Sequence, residues 1–128
     1  MQTQEVKLTL PEPPSMNAML GYAKAWRGRK YYAKQQEYRD LATECCVPKT
    51  PPDGAPWERF ALASIHFRLW NKRDPLELLA GLKWPLDLLV DLGWLVDDNE
   101  ECLVHLDMPT QEIARKNRGV DFTLRRMP

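Results

Sequence analysis

The chain has 128 residues, 44% of them hydrophobic and 28% charged, with a formal net charge of zero. That length suits one domain with its own core, expected here over 1–128. Balanced charge argues against a generic polyanion binder, and Lys83, Pro85, Asp87 and Asp91 interrupt the most apolar stretch, so no membrane span is expected.

The segment "MQTQEVKLTL" lacks the apolar centre of a signal peptide, and a cytoplasmic location is expected. Cys45, Cys46 and Cys102 are odd in number and two are adjacent. They give neither a disulfide framework nor zinc spacing, so reduced thiols are expected.

In chain order, Val6, Leu8 and Leu10 alternate with polar residues and predict a strand that "PEPPS" ends. Residues 16–32 show little period and predict a basic, aromatic loop. Residues 33–46 have helix-forming composition, and 47–56 read as a proline-rich connection. "FALASIHFRLW" at 60–70 predicts a strand. It puts Ala61, Ala63, Ile65, Phe67 and Leu69 on one apolar face, and His66 and Arg68 on the other. Leu78, Leu82, Leu86 and Leu89 predict a helix over 75–92, kinked at Pro85 and stopped at Gly93. Two more strands alternate at Cys102–Met108 and Val120–Leu124, with "RKNRG" as a basic turn between them. The order strand, helix, strand, helix, strand, strand implies an α/β (α+β) fold. It would be two-layered, with helices on one face of a small mixed β-sheet.

Charge is segregated along the chain. Lys24, Arg27, Arg29, Lys30, Lys34 and Arg39 crowd one segment against Glu37 alone. Arg115, Lys116, Arg118, Arg125 and Arg126 crowd another, against Asp121. Residues 74–107 between them carry nine carboxylates and one lysine or arginine, Lys83. Basic ends around an acidic middle suit a protein that grips phosphates and sets a metal among them. A well-mixed solvated surface is the alternative.

The stretch "RDPLE" admits two readings. Asp74 as N-cap, Pro75 at N1 and Glu77 at N3 make a capping box worth about 1 kcal/mol. Alternatively, Asp74 joins the acidic run "VDDNEE". If the strands flanking the helix are neighbours, Asp74 and Asp98 meet at the sheet edge with Asp97 beside them. Carboxylates gathered so repel unless a cation such as magnesium sits among them. A solvated acidic turn is the simpler account of that run.

Several pieces, in order over nearly the whole chain, resemble the RusA family of Holliday junction resolvases, often phage-encoded. They are "LTLPEPPSMN" at 8–17, "RGRKYY" at 27–32, "YRD" at 38–40, "RDP" at 73–75, "LKWPLDLLVDLGWLVDD" at 82–98, and the closing strand. The resemblance implies a small α/β domain acting as a homodimer. It implies magnesium-dependent, paired nicking of four-way junction DNA in recombination and repair. It implies catalytic roles for Asp74, Asp98 and Lys83, with Asp74 and Asp98 holding metal and Asp97 and Glu77 helping. DNA contacts are expected from Asn17, Arg27, Arg29, Lys30 and Arg73, with Arg68 facing the same groove as Arg73. Arg27, Arg29 and Lys30 lie among Trp26, Tyr31 and Tyr32, a mixture that grips phosphates and stacks on unpaired bases. The family pattern puts a second aspartate at 76 and an asparagine at 77, where this chain has Leu76 and Glu77. Leucine cannot bind a metal, and Glu77 sits about 100° further round a helix. The alternative implied is a RusA-like protein that grips junctions without cutting them.

Overall fold

A computed structural model describes residues 4–24 and 28–128. Strand β1 (Glu5–Pro11) leads into helices α1 (Met16–Lys24) and α2 (Arg29–Cys45), then strand β2 (Phe60–Leu69). Helices α3 (Pro75–Ala80) and α4 (Lys83–Asp91) precede strands β3 (Leu103–Leu106), β4 (Thr110–Ile113) and β5 (Gly119–Arg126). The strands form one sheet in the order β1-β5-β2-β3, with β4 also paired to β2. β5 is antiparallel to β1 and β2, while β3 and β4 are parallel to β2. Parallel neighbours need a crossover, and α3 with α4 supplies it between β2 and β3.

The core lies between that sheet and the helices, the expected two-layer arrangement. Leu8, Leu10, Leu62, Phe67, Phe122 and Leu124 from the sheet meet Ala42, Leu78, Leu86 and Leu89 from the helices in one cluster. Trp57, fully buried, closes one end. Its backbone N donates to the Trp94 carbonyl at 2.8 Å and its Nε1 to the Asp53 carbonyl at 3.0 Å.

Four local expectations change. The loop expected over 16–32 is helical at 16–24 and from 29 onward; residues 25–27 lie outside the described part. α1 buries none of its residues fully, so it carries no core stripe to reveal it. Its start is set by Ser15, whose Oγ accepts from Ala18 N at 3.1 Å, an N-cap contact. The apolar face of β2 switches parity. Ser64 adopts φ 52° and the β2–β5 register shifts between Ala63 and His66, a bulge that moves later residues to the other face. The core face is therefore Phe60, Leu62, Ile65, Phe67 and Leu69, while Ala61 sits between Arg125 and His105. The helix expected over 75–92 is broken between Ala80 and Lys83, not kinked at Pro85. Pro85 falls in the first turn of α4, where its missing N–H is harmless; Gly93, at φ 81°, ends the helix region as expected. Finally, the region after β3 holds an additional short strand, β4.

Gly119 joins three parts of this sheet. A Cβ there would press on the Leu10 carbonyl oxygen and lie 3.1 Å from Arg68 Nη2. Gly119→Ala is expected to destabilise the fold by roughly 1–3 kcal/mol. Urea unfolding would read it as a lower midpoint with an unchanged slope; an unchanged midpoint would show that the strands part without strain.

Candidate functional site

Helices α2 and α4 lie side by side through a polar ladder. Trp84 Nε1 donates to Tyr31 Oη at 2.9 Å, Gln35 Nε2 to Asp87 Oδ2 at 3.3 Å, and Arg39 Nη1 to Asp91 Oδ2 at 3.1 Å. The rungs fall every four residues on α2 and every three or four on α4, the spacing of one helix face. This ladder fixes the start of α4, and with it Lys83.

Lys83 Nζ lies 3.1 Å from Asp87 Oδ1 and 3.1 Å from Asp98 Oδ2. Asp87 is one helical turn away, while Asp98 arrives from the segment between α4 and β3. That segment is stiffened by Asp97, whose Oδ1 accepts from Asp98 N at 2.7 Å and whose Oδ2 accepts from Asn99 Nδ2 at 3.1 Å. Asp97 therefore positions Asp98 and spends both its oxygens locally.

The two carboxylates on Lys83 are pushed apart in acidity. Burial raises Asp87 above its ordinary value, outweighing the Lys83 hydrogen bond. Burial also acts to raise Asp98, but the hydrogen bond and charge of Lys83, with bonds from Asp97 and the backbone, hold it below its ordinary value. Lys83 is itself raised, first by its bond to Asp98. A depressed carboxylate stabilises the fold above its unfolded pKa, and that contribution fades as pH falls towards the folded one. The raised Asp87 acts oppositely, its contribution fading as pH rises through its folded pKa. Carboxyl NMR titration should find Asp98 below its ordinary 3.8 and Asp87 above it. Lys83→Met should raise both. An Asp98 that titrates unchanged in Lys83→Met would break this assignment.

Among the described residues no hydrogen bond or ion pair joins Asp74 or Glu77 to the Lys83–Asp98 pair. Asp74 is the N-cap of α3 with Pro75 following, as the capping reading requires, but its side chain makes no cap hydrogen bond. β2 and β3 are neighbours, yet their parallel pairing sets Phe60 beside Leu103. Asp74 leaves the C-terminal end of β2, while the segment with Asp98 enters beside its N-terminal half. Neighbouring strands thus do not by themselves bring Asp74 to Asp98; Lys83 is what meets Asp98.

A cavity of about 660 Å³ opens on the side of α4 that carries Trp84, and Asn17, Arg73 and Glu77 line it. Arg73, expected as a DNA contact, is mostly buried where it lines this cavity. Only 10% of its side chain is accessible, its Nη2 donates to the Pro13 carbonyl at 2.8 Å, and its Nη1 is buried without a partner among the described residues. Burial lowers its pKa against the opposing pull of Glu12 and Glu77. It ties the exit of β1 to the β2–α3 turn. Arg68 lies outside this cavity, on the open face of the sheet, paired with Asp121 and donating to the Asn117 carbonyl at 2.7 Å. Arg29 and Lys30 are exposed on the first turn of α2, Lys30 over the Tyr22 ring at 5.6 Å. Arg27 lies outside the described residues. All three cysteines are free thiols.

Magnesium binds through one or two carboxylates plus phosphate oxygens and keeps waters. Asp87 and Asp98, which already hold the Lys83 ammonium between them, supply hard oxygen donors of that kind. They do not make a protein cage: among the described residues no group of three or more His, Cys, Asp or Glu side chains could hold a metal ion. Asp87 is the residue sequence reasoning missed. Its signal was the i, i+4 spacing from Lys83 on a helix, together with Asp91 and Gln35 in matching registers. No family model matches the chain, and no curated protein matches it.

Proposed function

We propose that this chain is a RusA-like endonuclease that cuts four-way DNA junctions, acting as a homodimer with one site per protomer. The observation that carries this reading is the Lys83–Asp98 contact at 3.1 Å. It joins two residues on separate segments, 15 positions apart, to which the resemblance gives catalytic roles. Asp98, held ionised, with Asp87 beside it, would hold magnesium, which supplies Lewis-acid stabilisation of the phosphate and an activated water. Lys83 stabilises negative charge building on the phosphate. Arg29 and Lys30 hold the arms through phosphates, so binding weakens with salt. Two protomers related by a two-fold axis match a junction of similar symmetry.

A second reading, a junction binder that does not cut, is favoured by one observation. Leu76, where the family pattern has a carboxylate, is 76% exposed, so no core requirement explains it. The two readings separate on a labelled four-way junction incubated with magnesium and run on a native gel, which reads binding, and on a denaturing gel, which reads nicking. Nicking by the natural chain supports the first. Nicking only by Leu76→Asp supports the second. A junction that neither protein binds or cuts overturns both.

A further inference from the structure

We propose that Trp70 and the cavity beside it form a binding site for one unstacked nucleotide, separate from the Lys83 cluster. It rests on the reading of the chain as a DNA-binding protein and adds a base-holding site to it. Trp70 follows β2 and is 54% exposed, whereas Trp57, Trp84 and Trp94 are buried. Its ring is held in place. The Arg118 guanidinium lies 4.9 Å from the ring centroid, and Glu12 fixes both partners. Glu12 Oε2 is 3.1 Å from Arg118 Nε, and its Oε1 accepts from Trp70 N at 3.1 Å. A cation under one face of an indole leaves a preorganised, exposed ring for a base to stack on.

The surroundings suit a phosphate. Trp70 and Lys72 line the cavity, together with Asn17, Tyr22 and Lys34. Its volume, about 660 Å³, is in the range of small-ligand sites. Two of the three acidic lining residues are paired among the described residues, Glu12 with Arg73 and Arg118 and Glu37 with Lys34, and Glu77 is not. Lys72 forms no ion pair among the described residues, and neither do Arg115 and Lys116 in the turn that carries Arg118. A base on Trp70 would place its backbone near Lys72 in the cavity lining.

The test uses the full chain with two probes: a short fluorescein-labelled single-stranded oligothymidylate, followed by fluorescence anisotropy, and a four-way junction carrying 2-aminopurine at the point of strand exchange. Trp70→Ala should bind the single strand about tenfold more weakly, with Trp70→Phe within about threefold of the natural chain. Lys72→Ala should weaken binding and flatten its salt dependence. Trp70 is half-exposed, so these variants are expected to fold, and Trp70→Phe controls for packing. Equal single-strand affinity in the natural chain and Trp70→Ala overturns the site while leaving the resolvase reading intact. Trp70-dependent single-strand binding without junction binding keeps the site and overturns the resolvase reading. Binding to neither probe overturns both.

Discussion

Replacing Asp98 by asparagine is expected to lower junction cleavage by about a hundredfold or more while leaving junction binding within about threefold of the natural chain. Asparagine keeps the shape of the side chain and the backbone N–H that Asp97 holds at 2.7 Å. It removes the charge that Lys83 pairs with at 3.1 Å, and Lys83 retains Asp87. The fold therefore has little reason to change, and a carboxylate that repels phosphate is gone. Single-turnover cleavage and a native-gel titration separate the two effects. Cleavage by Asp98→Asn at the natural rate would remove Asp98 from the chemistry. A parallel loss of binding and cleavage would make it a structural residue.

The largest expected stability effect is at Trp57. Trp57→Ala should destabilise the fold by about 3–5 kcal/mol, lowering Tm by roughly 10–20 °C. The indole is fully buried in the main cluster. Its loss would open a cavity and strand the hydrogen bond to the Asp53 carbonyl. The consequence reaches the site, because the Trp57 carbonyl accepts from Val96 N at 3.1 Å and Trp57 bridges Leu95. These contacts anchor the segment that carries Asp97 and Asp98. Trp57→Phe should lose less stability and keep the anchor. A Trp57→Ala protein that melts within a few degrees of the natural chain would show that the end of the core repacks without it.

How much of this was legible in the sequence depended on whether a feature was local. The alternation of Val6, Leu8 and Leu10 and the stop at Gly93 are local patterns that located their elements, and the leucine stripe of 78–89 located a helical region without its break between Ala80 and Lys83. The two-layer arrangement followed from their order. Ser64 was not legible: a bulge is set by the strand opposite, and it moved Ala61 and Ala63 off the core face. α1 escaped because its residues pack too shallowly to need an apolar stripe, although Ser15 is an N-cap residue by type. In the site, Lys83 and Asp98 were singled out by resemblance, but their contact depends on how the chain returns after α4. Asp87 looked like one more surface charge until α2 was laid beside α4. Arg73 read as a DNA contact, and composition does not reveal that its guanidinium donates to the Pro13 carbonyl.

The most direct test of the Lys83–Asp98 centre as a junction-cutting site is to map the nicks on a four-way junction labelled on each strand in turn, with magnesium present. The expected result is two nicks at symmetry-related positions across the branch point, absent on the matching duplex and absent with Asp98→Asn. An intact junction, or nicks scattered along the arms at the same rate as on duplex, would contradict it.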